Sequence, residues 1–272
     1  MAILSENDWI ASYKQQLRIC KASRSGLSPA KSWYSTFDGV GQPSASSLAV
    51  SSLTTGIVPV ASDVGYPSIE TFPSGATGYL TSLSFGMATA GRFRLFDRLF
   101  VCGSYDYNAS ATLSSQPSYA SRLPFKVDGT TRNYSGTEIW LEASATITGN
   151  ISVTVTYTNQ DGVTGRTATT PAASSANLAR CWQLALQAGD TGVQKIESVS
   201  ATGASAGTAC FNIMVLRRLA DGYVEYANGA DNQDLFRVGL IEIPQNAALY
   251  LAVGPDGTTP GVIEVSIGIA SK

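Results

Sequence analysis

The chain has 272 residues, with 18 lysines and arginines against 20 aspartates and glutamates, so its formal net charge is −2. Only 14% of the residues are charged, against roughly 25% in an average soluble domain. This composition argues against a nucleic-acid groove, which needs basic residues to neutralise phosphates. No apolar run approaches the roughly 20 residues that cross a bilayer, and the N-terminus lacks the pattern of a secretory signal. We therefore expect neither nucleic acid nor a membrane as a partner.

Histidine is absent, which excludes Ser-His-Asp and Cys-His catalysis and every histidine-ligated metal site. The four cysteines, at positions 20, 102, 181 and 210, are far apart and form no C-x-x-C pair. We therefore expect no zinc and no other cofactor. Cys181 and Cys210 lie in apolar, strand-like runs, which favours buried free thiols. A bridge between these two cysteines is the alternative if their strands pair.

Carboxylates are the remaining candidates for catalysis. Glu138 and Glu142 lie four residues apart on one predicted strand, which separates their Cα atoms by roughly 13 Å. Glycoside hydrolysis needs two carboxyl groups roughly 5–10 Å apart across a cleft, so we expect solvated charges on a sheet face. The loop around Asp231 and Asp234 offers oxygen ligands but lacks the spacing of a calcium loop. We predict no catalytic residue, no metal ligand and no enzymatic activity.

The N-terminal segment, residues 1–34, is predicted to hold one helix and a connection. Ser5 can cap a helix over residues 5–20, with acidic residues in its first turn. Apolar residues then follow at near-helical spacing on one face: Trp9, Tyr13, Leu17 and Cys20. Gly26 and Pro29 would end any continuation.

Residues 35–90 are rich in glycine, serine, threonine and proline, and show neither helical nor sustained strand periodicity. Loops longer than about 12–15 residues are uncommon in compact domains and usually belong to linkers, tails or functional arms. A solvated linker would not carry so many apolar side chains, such as Phe37, Tyr66, Phe72 and Phe85. We interpret the segment as an extended arm that lies across a surface, either its own or a neighbour's. An ordinary irregular loop region is the alternative.

From residue 91 onward the pattern becomes that of β-strands. Apolar and polar residues alternate over residues 137–147. They alternate again in ISVTVTYT, where serine and threonine separate the apolar residues Ile151, Val153, Val155 and Tyr157. Turns are predicted at Asp161-Gly162, at 190–192, at Asp221-Gly222 and at 254–257. Eight or more short strands with turns at roughly 8–12-residue spacing predict an antiparallel β-sandwich or jelly roll over residues 91–272.

Serine and threonine occupy the outward positions of these strands, which predicts a surface that is polar but hardly charged. Such a face is more readily buried against another protein than one of lysine and glutamate, because hydroxyls easily find partners whereas charges require them. This surface is the main functional indication in the composition.

The second half also resembles virion structural proteins of tailed bacteriophages. The resemblance covers roughly residues 90–270 and is carried by GRFRLFDRLF, TEIWLEASATITGNISVTVTYTNQDGVTGRTAT, ARCWQLALQAGDTGVQKIESVSA and FNIMVLRRL. It implies a virion protein made in the bacterial cytoplasm, whose partners are the major capsid protein, other virion proteins and further copies of itself. No catalytic residue is carried over by the resemblance.

The resemblance, the hydroxyl-rich strands and the long arm with its apolar side chains together favour a non-enzymatic capsid decoration or cement protein that clamps neighbouring capsid subunits. The alternatives are a neck, tail or baseplate protein, and a carbohydrate-binding module for host attachment. The residues expected to contact a partner are Trp9, Tyr13, Leu17, Ile57, Val58, Tyr66 and Phe72.

Overall fold

The computed structural model describes residues 5–24, 26, 27, 29–170, 173–203 and 210–272. Strands account for 51% of the described residues and helices for 5%, which confirms the mainly-β prediction with a short N-terminal helix. The helices are α1 (Glu6–Ala11) and α2 (Leu235–Val238). The strands are β1 (Tyr13–Lys21), β2 (Trp33–Ser35), β3 (Gly41–Gln42), β4 (Ser52–Ile57), β5 (Gly78–Met87), β6 (Gly91–Tyr105), β7 (Ser110–Thr112), β8 (Thr137–Ala143), β9 (Ile147–Asn159), β10 (Arg166–Thr169), β11 (Ala173–Ala176), β12 (Arg180–Leu184), β13 (Val193–Gly203), β14 (Phe211–Val224), β15 (Gly229–Gln233), β16 (Glu242–Ile243), β17 (Leu249–Pro255) and β18 (Ile263–Ser271).

Six antiparallel strands close into a barrel at the centre of the molecule. Their order is β6–β14–β8–β12–β2–β17, and β17 pairs with β6 again to complete the ring. Strand β4 adds to the outside of the ring by pairing with β6. One core cluster draws on these barrel strands and includes Phe96, Trp140, Cys181, Met214 and Tyr250. Because alternate residues of a strand point to opposite faces, this cluster is the barrel interior.

Two further sheets cover the barrel on either side. The terminal sheet, which contains the first and last strands, has the order β15–β5–β18–β1–β3, with β16 also paired to β5. The hairpin sheet has the order β10–β9–β13–β7, with β11 also paired to β9. Phe85 and Ile267 of the terminal sheet pack with Leu95 of the barrel, and Val153 of the hairpin sheet packs with Ile213 of the barrel. The fold is therefore a sandwich whose middle layer is closed into a barrel.

The predicted N-terminal helix is wrong beyond Ala11, where α1 ends and a strand begins. Leu17, Ile19 and Lys21 are buried at every second position of β1. Strand β1 pairs with β18 along its whole length, from Tyr13 opposite Ser271 onward. The helical spacing of the apolar residues was coincidental, because pairing with the far end of the chain decides the conformation.

Residues 35–90 pack on this chain's own surface, which is one of the two alternatives left open by the sequence. Part of the segment is regular, because β5 lies between β15 and β18 in the terminal sheet. The sequence pattern predicts no strand in residues 35–90, and this prediction is wrong for residues 78–87, which form β5. Aromatic and aliphatic side chains of the segment are buried in the core clusters: Phe37, Leu48, Tyr66, Ile69, Phe72, Leu80, Leu83 and Phe85.

The turn predicted at Asp221-Gly222 is also wrong, because β14 runs through both residues and pairs with β6 there. A Cβ atom at Gly222 would lie 2.1 Å from Oδ2 of Asp231. The glycine therefore permits a close approach of two strands rather than a turn. The hairpin predicted at Asp161-Gly162 is confirmed by the pairing of β9 with β10.

Asp190 anchors the base of this hairpin, and its charge gives a testable pH dependence. Its carboxylate accepts hydrogen bonds from Tyr157 Oη (2.7 Å), Asn159 Nδ2 (2.7 Å) and Arg166 Nε (2.8 Å). The bond from Arg166 is the main cause that lowers the pKa of Asp190 to about 2. Because the folded pKa lies below the unfolded value of about 3.9, the stabilisation is present above pH 4 and is lost as the pH falls towards 2.

We expect Asp190→Asn to lower Tm at pH 7 by roughly 2–4 °C, the shift that a loss of about 1 kcal/mol gives in a chain of similar size. The difference in Tm between the wild type and the variant should shrink between pH 4 and pH 2. Thermal unfolding followed by circular dichroism measures it, with Glu225→Gln, at an exposed position, as the control. A difference that stays constant down to pH 2 would contradict the assignment.

Candidate partner-binding surface

Ten hydroxyl side chains cover most of the outward side of the hairpin sheet, and we call this array the hydroxyl face. The charged residues Lys195 and Glu197 of β13 lie at one end of it, beside Thr158. The inward side of the sheet is apolar, since Ile151, Val153, Val155 and Tyr157 are buried against the barrel as the alternation predicted. The intervening residues of β9 and those of its neighbours face outward. The hydroxyl face consists of Ser110, Thr112, Ser152, Thr154, Thr156, Thr167, Thr169, Ser198, Ser200 and Thr202.

The strand register places these side chains side by side. Thr154 lies opposite Thr169 on one neighbouring strand and Ser200 on the other. Ser200 in turn lies opposite Ser110 of β7. The hydroxyls of Thr154 and Thr169 are 3.1 Å apart. Because a hydroxyl both donates and accepts and can rotate to suit its partner, this face can adapt to donors or acceptors on another surface.

The outer edges of the hairpin sheet are short. Strand β7 at one edge has three residues, and β10 and β11, which follow one another along the other edge, have four each. Short edge strands discourage the addition of a foreign strand. A partner would therefore contact this sheet through its face rather than by extending it.

The outward side of the terminal sheet differs because its paired polar groups include an ion pair. Arg18 forms an ion pair with Glu264. Gln16 Nε2 donates to Ser266 Oγ (2.8 Å). Burying these groups would require removal of water from charges, which costs more than removal of water from hydroxyls. Of the two outer faces, the hydroxyl face is the less costly one to bury.

The seven residues predicted to contact a partner do not form one patch. Leu17 and Phe72 are buried between the terminal sheet and the barrel, and Tyr66 is buried in the barrel cluster. In this structure these three side chains therefore stabilise their own chain. Partner contacts through the remaining residues stay predictions.

Tyr13 and Ile57 are the most accessible of the remaining predicted residues, with 41% and 45% of their surfaces exposed. Trp9 is partly buried and contacts the ammonium of Lys14. Val58 is partly buried and packs against the core under the hairpin sheet. Ile57 and Val58 lie at the end of β4, which runs beside the β7 edge of the hydroxyl face.

The prediction of solvated carboxylates at 138 and 142 is wrong, because 8% of Glu138 and 0% of Glu142 are exposed. Every residue of β8 is buried, since its odd positions face the hairpin sheet and its even positions face the barrel interior. Glu142 accepts hydrogen bonds from Arg98 Nη2 (3.1 Å), Asn212 Nδ2 (3.1 Å) and Tyr250 Oη (2.8 Å). The sequence signal was the arginine within the apolar run of β6, which requires an acidic partner when it is buried.

All four cysteines are free thiols, so Cys181 and Cys210 do not form a bridge. The predicted burial of both is confirmed. Burial also raises the pKa of the Cys102 thiol to about 12, which disfavours the reactive thiolate.

In the loop considered for calcium, Asp231 pairs with Arg237 through two contacts of 2.7 and 3.1 Å.

Within the part of the chain that the structure describes, no group of three or more acidic, cysteine or histidine side chains is arranged to hold a metal ion. Over the same residues, no helix combines the length and the apolar character needed to pass through a lipid bilayer.

No protein-family model matches the chain, and no curated protein is significantly similar to it in sequence. The chain does show a distant similarity to solved structures of infectious bursal disease virus. A structure of the Gx strain is 10% identical, with 96% of this chain and 80% of that chain covered and a TM-score of 0.18. The T13 viral particle is also 10% identical, with coverages of 96% and 77% and a TM-score of 0.19. TM-scores this low carry no argument about function.

Proposed function

We propose that this chain is a non-enzymatic virion structural protein of a tailed bacteriophage, and specifically a capsid decoration protein that binds neighbouring capsid subunits through its hydroxyl face. The observation that carries the proposal is the array of ten uncharged hydroxyl side chains across four strands. The resemblance of its second half to virion structural proteins of tailed bacteriophages supports the same role.

The hydroxyl face is small, which suits a weak contact that is repeated many times on a particle. Four strands at a spacing of about 4.8 Å, each with about three outward residues, cover roughly 300 Å². A stable interface buries about 800 Å² on each partner, so the hydroxyl face is the centre of a contact rather than all of it. On a particle with many copies, weak contacts add through effective concentration.

A single charge at the centre of the hydroxyl face tests the proposal. We expect Ser200→Lys to weaken binding of the purified protein to capsids stripped of decoration by at least about tenfold, because an unpaired buried charge costs several kcal/mol. Ser200 is exposed, so the variant should fold. Saturation binding followed by sedimentation measures the affinity.

The matched control is Ser82→Lys, which adds the same charge at an exposed position on the terminal sheet. Equal binding by the wild type and both variants would refute the assignment of the hydroxyl face.

Cryo-EM of the particle distinguishes a decoration protein from a neck protein, since a decoration protein covers the head and a neck protein is confined to one vertex. Glycan binding without capsid binding would favour the carbohydrate-binding alternative.

A further inference from the structure

The barrel has an open groove at one end that is rich in arginine. Its volume is about 770 Å³, within the range of roughly 300–1,000 Å³ typical of ligand pockets, which often lie in the mouths of β-barrels. Strands β2, β6, β8 and β14 contribute Trp33, Arg94, Glu138 and Arg218 to its walls. Arg92 and Arg237 also line it. We call this groove the barrel mouth.

Two of these four arginines already have acidic partners. Arg218 contacts Glu138 at 3.0 Å and Asp221 at 3.3 Å. Arg237 contacts Asp231 at 2.7 Å. These two arginines therefore face three carboxylates, so this part of the barrel mouth carries one excess negative charge.

Arg92 and Arg94 have only neutral acceptors. Arg92 Nη2 donates to the carbonyl oxygen of Lys31 (2.8 Å), and Arg94 Nη1 lies 3.3 Å from Oε1 of Gln183. Among the described residues, no carboxylate forms an ion pair with either guanidinium. The two arginines stand at alternate positions of β6 and so lie on the same side of the strand. With these two, the barrel mouth has four arginines against three carboxylates, an excess of one positive charge in a chain whose net charge is negative.

Aromatic rings hold these guanidinium groups in place. The guanidinium carbons of Arg94 and Arg92 lie 4.7 Å and 5.4 Å from the ring centre of Trp33. Arg94 also lies 5.6 Å from the ring centre of Trp140.

Burial is the main cause that lowers the pKa of Arg94, and the charges of Arg218 and Arg92 act in the same direction, against Glu138 and Asp221. A further negative charge beside this guanidinium would therefore be favourable. A planar guanidinium fixed in advance is well suited to a carboxylate.

We propose that the barrel mouth binds an acidic peptide segment of another protein, whose carboxylate groups are held by Arg92 and Arg94. A peptide fits better than a sugar because the Trp33 ring is already covered. Two guanidinium groups lie over it, and a Cβ atom at Gly254 would be only 3.5 Å from its Cε3. A sugar needs an open aromatic face for stacking. The site is separate from the hydroxyl face and does not depend on the proposed role in a capsid.

Isothermal titration of the full chain at low salt tests the site with defined probes. The probes are acetyl-Ala-Glu-Glu-Ala-amide, the same peptide with glutamine in place of glutamate, and sodium glucuronate. We expect the acidic peptide to bind and the glutamine peptide to bind at least about tenfold more weakly. Arg92→Gln and Arg94→Gln should each weaken binding of the acidic peptide by a similar factor.

Arg92 is exposed, so Arg92→Gln remains informative even if Arg94→Gln fails to fold. The control is Arg18→Gln, which removes the same charge on the terminal sheet and should leave the affinity unchanged. Absence of binding at millimolar peptide, equal affinity for the two peptides, or unchanged affinity in Arg92→Gln would each overturn the proposal. Tighter binding of glucuronate than of the acidic peptide would overturn it in favour of an acidic sugar.

Discussion

Replacing Glu142 by glutamine is expected to lower the free energy of unfolding by about 3–5 kcal/mol, because it leaves the guanidinium of Arg98 buried without a counter-charge. Only 2% of the Arg98 side chain and none of the Glu142 side chain is exposed. Burial alone would lower the pKa of Arg98, but Tyr66, Glu142 and Tyr250 together raise it above its ordinary value, so the guanidinium stays charged. Urea unfolding followed by tryptophan fluorescence measures the loss.

A double variant identifies the unpaired charge as the cause. In Arg98→Met/Glu142→Gln the buried charge is gone, and the new amide can still accept from Tyr250. We therefore expect the double variant to be more stable than Glu142→Gln alone. Glu264→Gln breaks an exposed pair with Arg18 and should cost less than about 1 kcal/mol. A double variant less stable than the single one would show that packing, rather than charge, dominates.

The limits of sequence-based prediction are clear at the barrel. Alternation in β9 predicts its buried and exposed faces correctly, because one side of that strand packs on the barrel and the other has no layer over it. The same reasoning fails for β8. Alternation of side chains along this strand predicts that one face is exposed to solvent, but closure of the barrel buries both faces. Nothing local to TEIWLEA shows that six strands form a ring.

The N-terminal segment shows a second limit. Trp9, Tyr13 and Leu17 fit a helix, and Leu17, Ile19 and Lys21 fit a strand equally well. The choice depends on β18, whose residues pair with β1 from the other end of the sequence. The sequence predicts that outward positions of the strands carry hydroxyl groups, but it does not predict how large the hydroxyl face is. Strands β7 and β13 are distant in sequence, and only their pairing places their hydroxyl groups on the same face. The arginines of the barrel mouth were visible in the sequence, but their lack of acidic partners was not.

Phe85→Ala is expected to reduce the free energy of unfolding of the isolated chain by about 3–5 kcal/mol, the usual cost of removing a fully buried phenylalanine. Phe85 belongs to the segment 35–90, is 0% exposed and stacks on Phe93 with ring centroids 4.1 Å apart. Guanidinium chloride unfolding of the isolated chain measures the cost. The same packing predicts that residues 35–90 resist limited proteolysis in the free protein as well as in the assembled particle.

Val64→Ala is the matched control within the same segment, because Val64 is 64% exposed and its truncation should change stability by less than about 0.5 kcal/mol. The pair of variants separates two roles of the segment. If it is part of the core, Phe85→Ala destabilises the free chain and Val64→Ala does not. If the segment is an arm ordered only by a neighbour, Phe85→Ala leaves the free chain as stable as the wild type, and rapid cleavage within 35–90 accompanies it. The stacking of Phe85 on a barrel phenylalanine leads us to expect the first outcome.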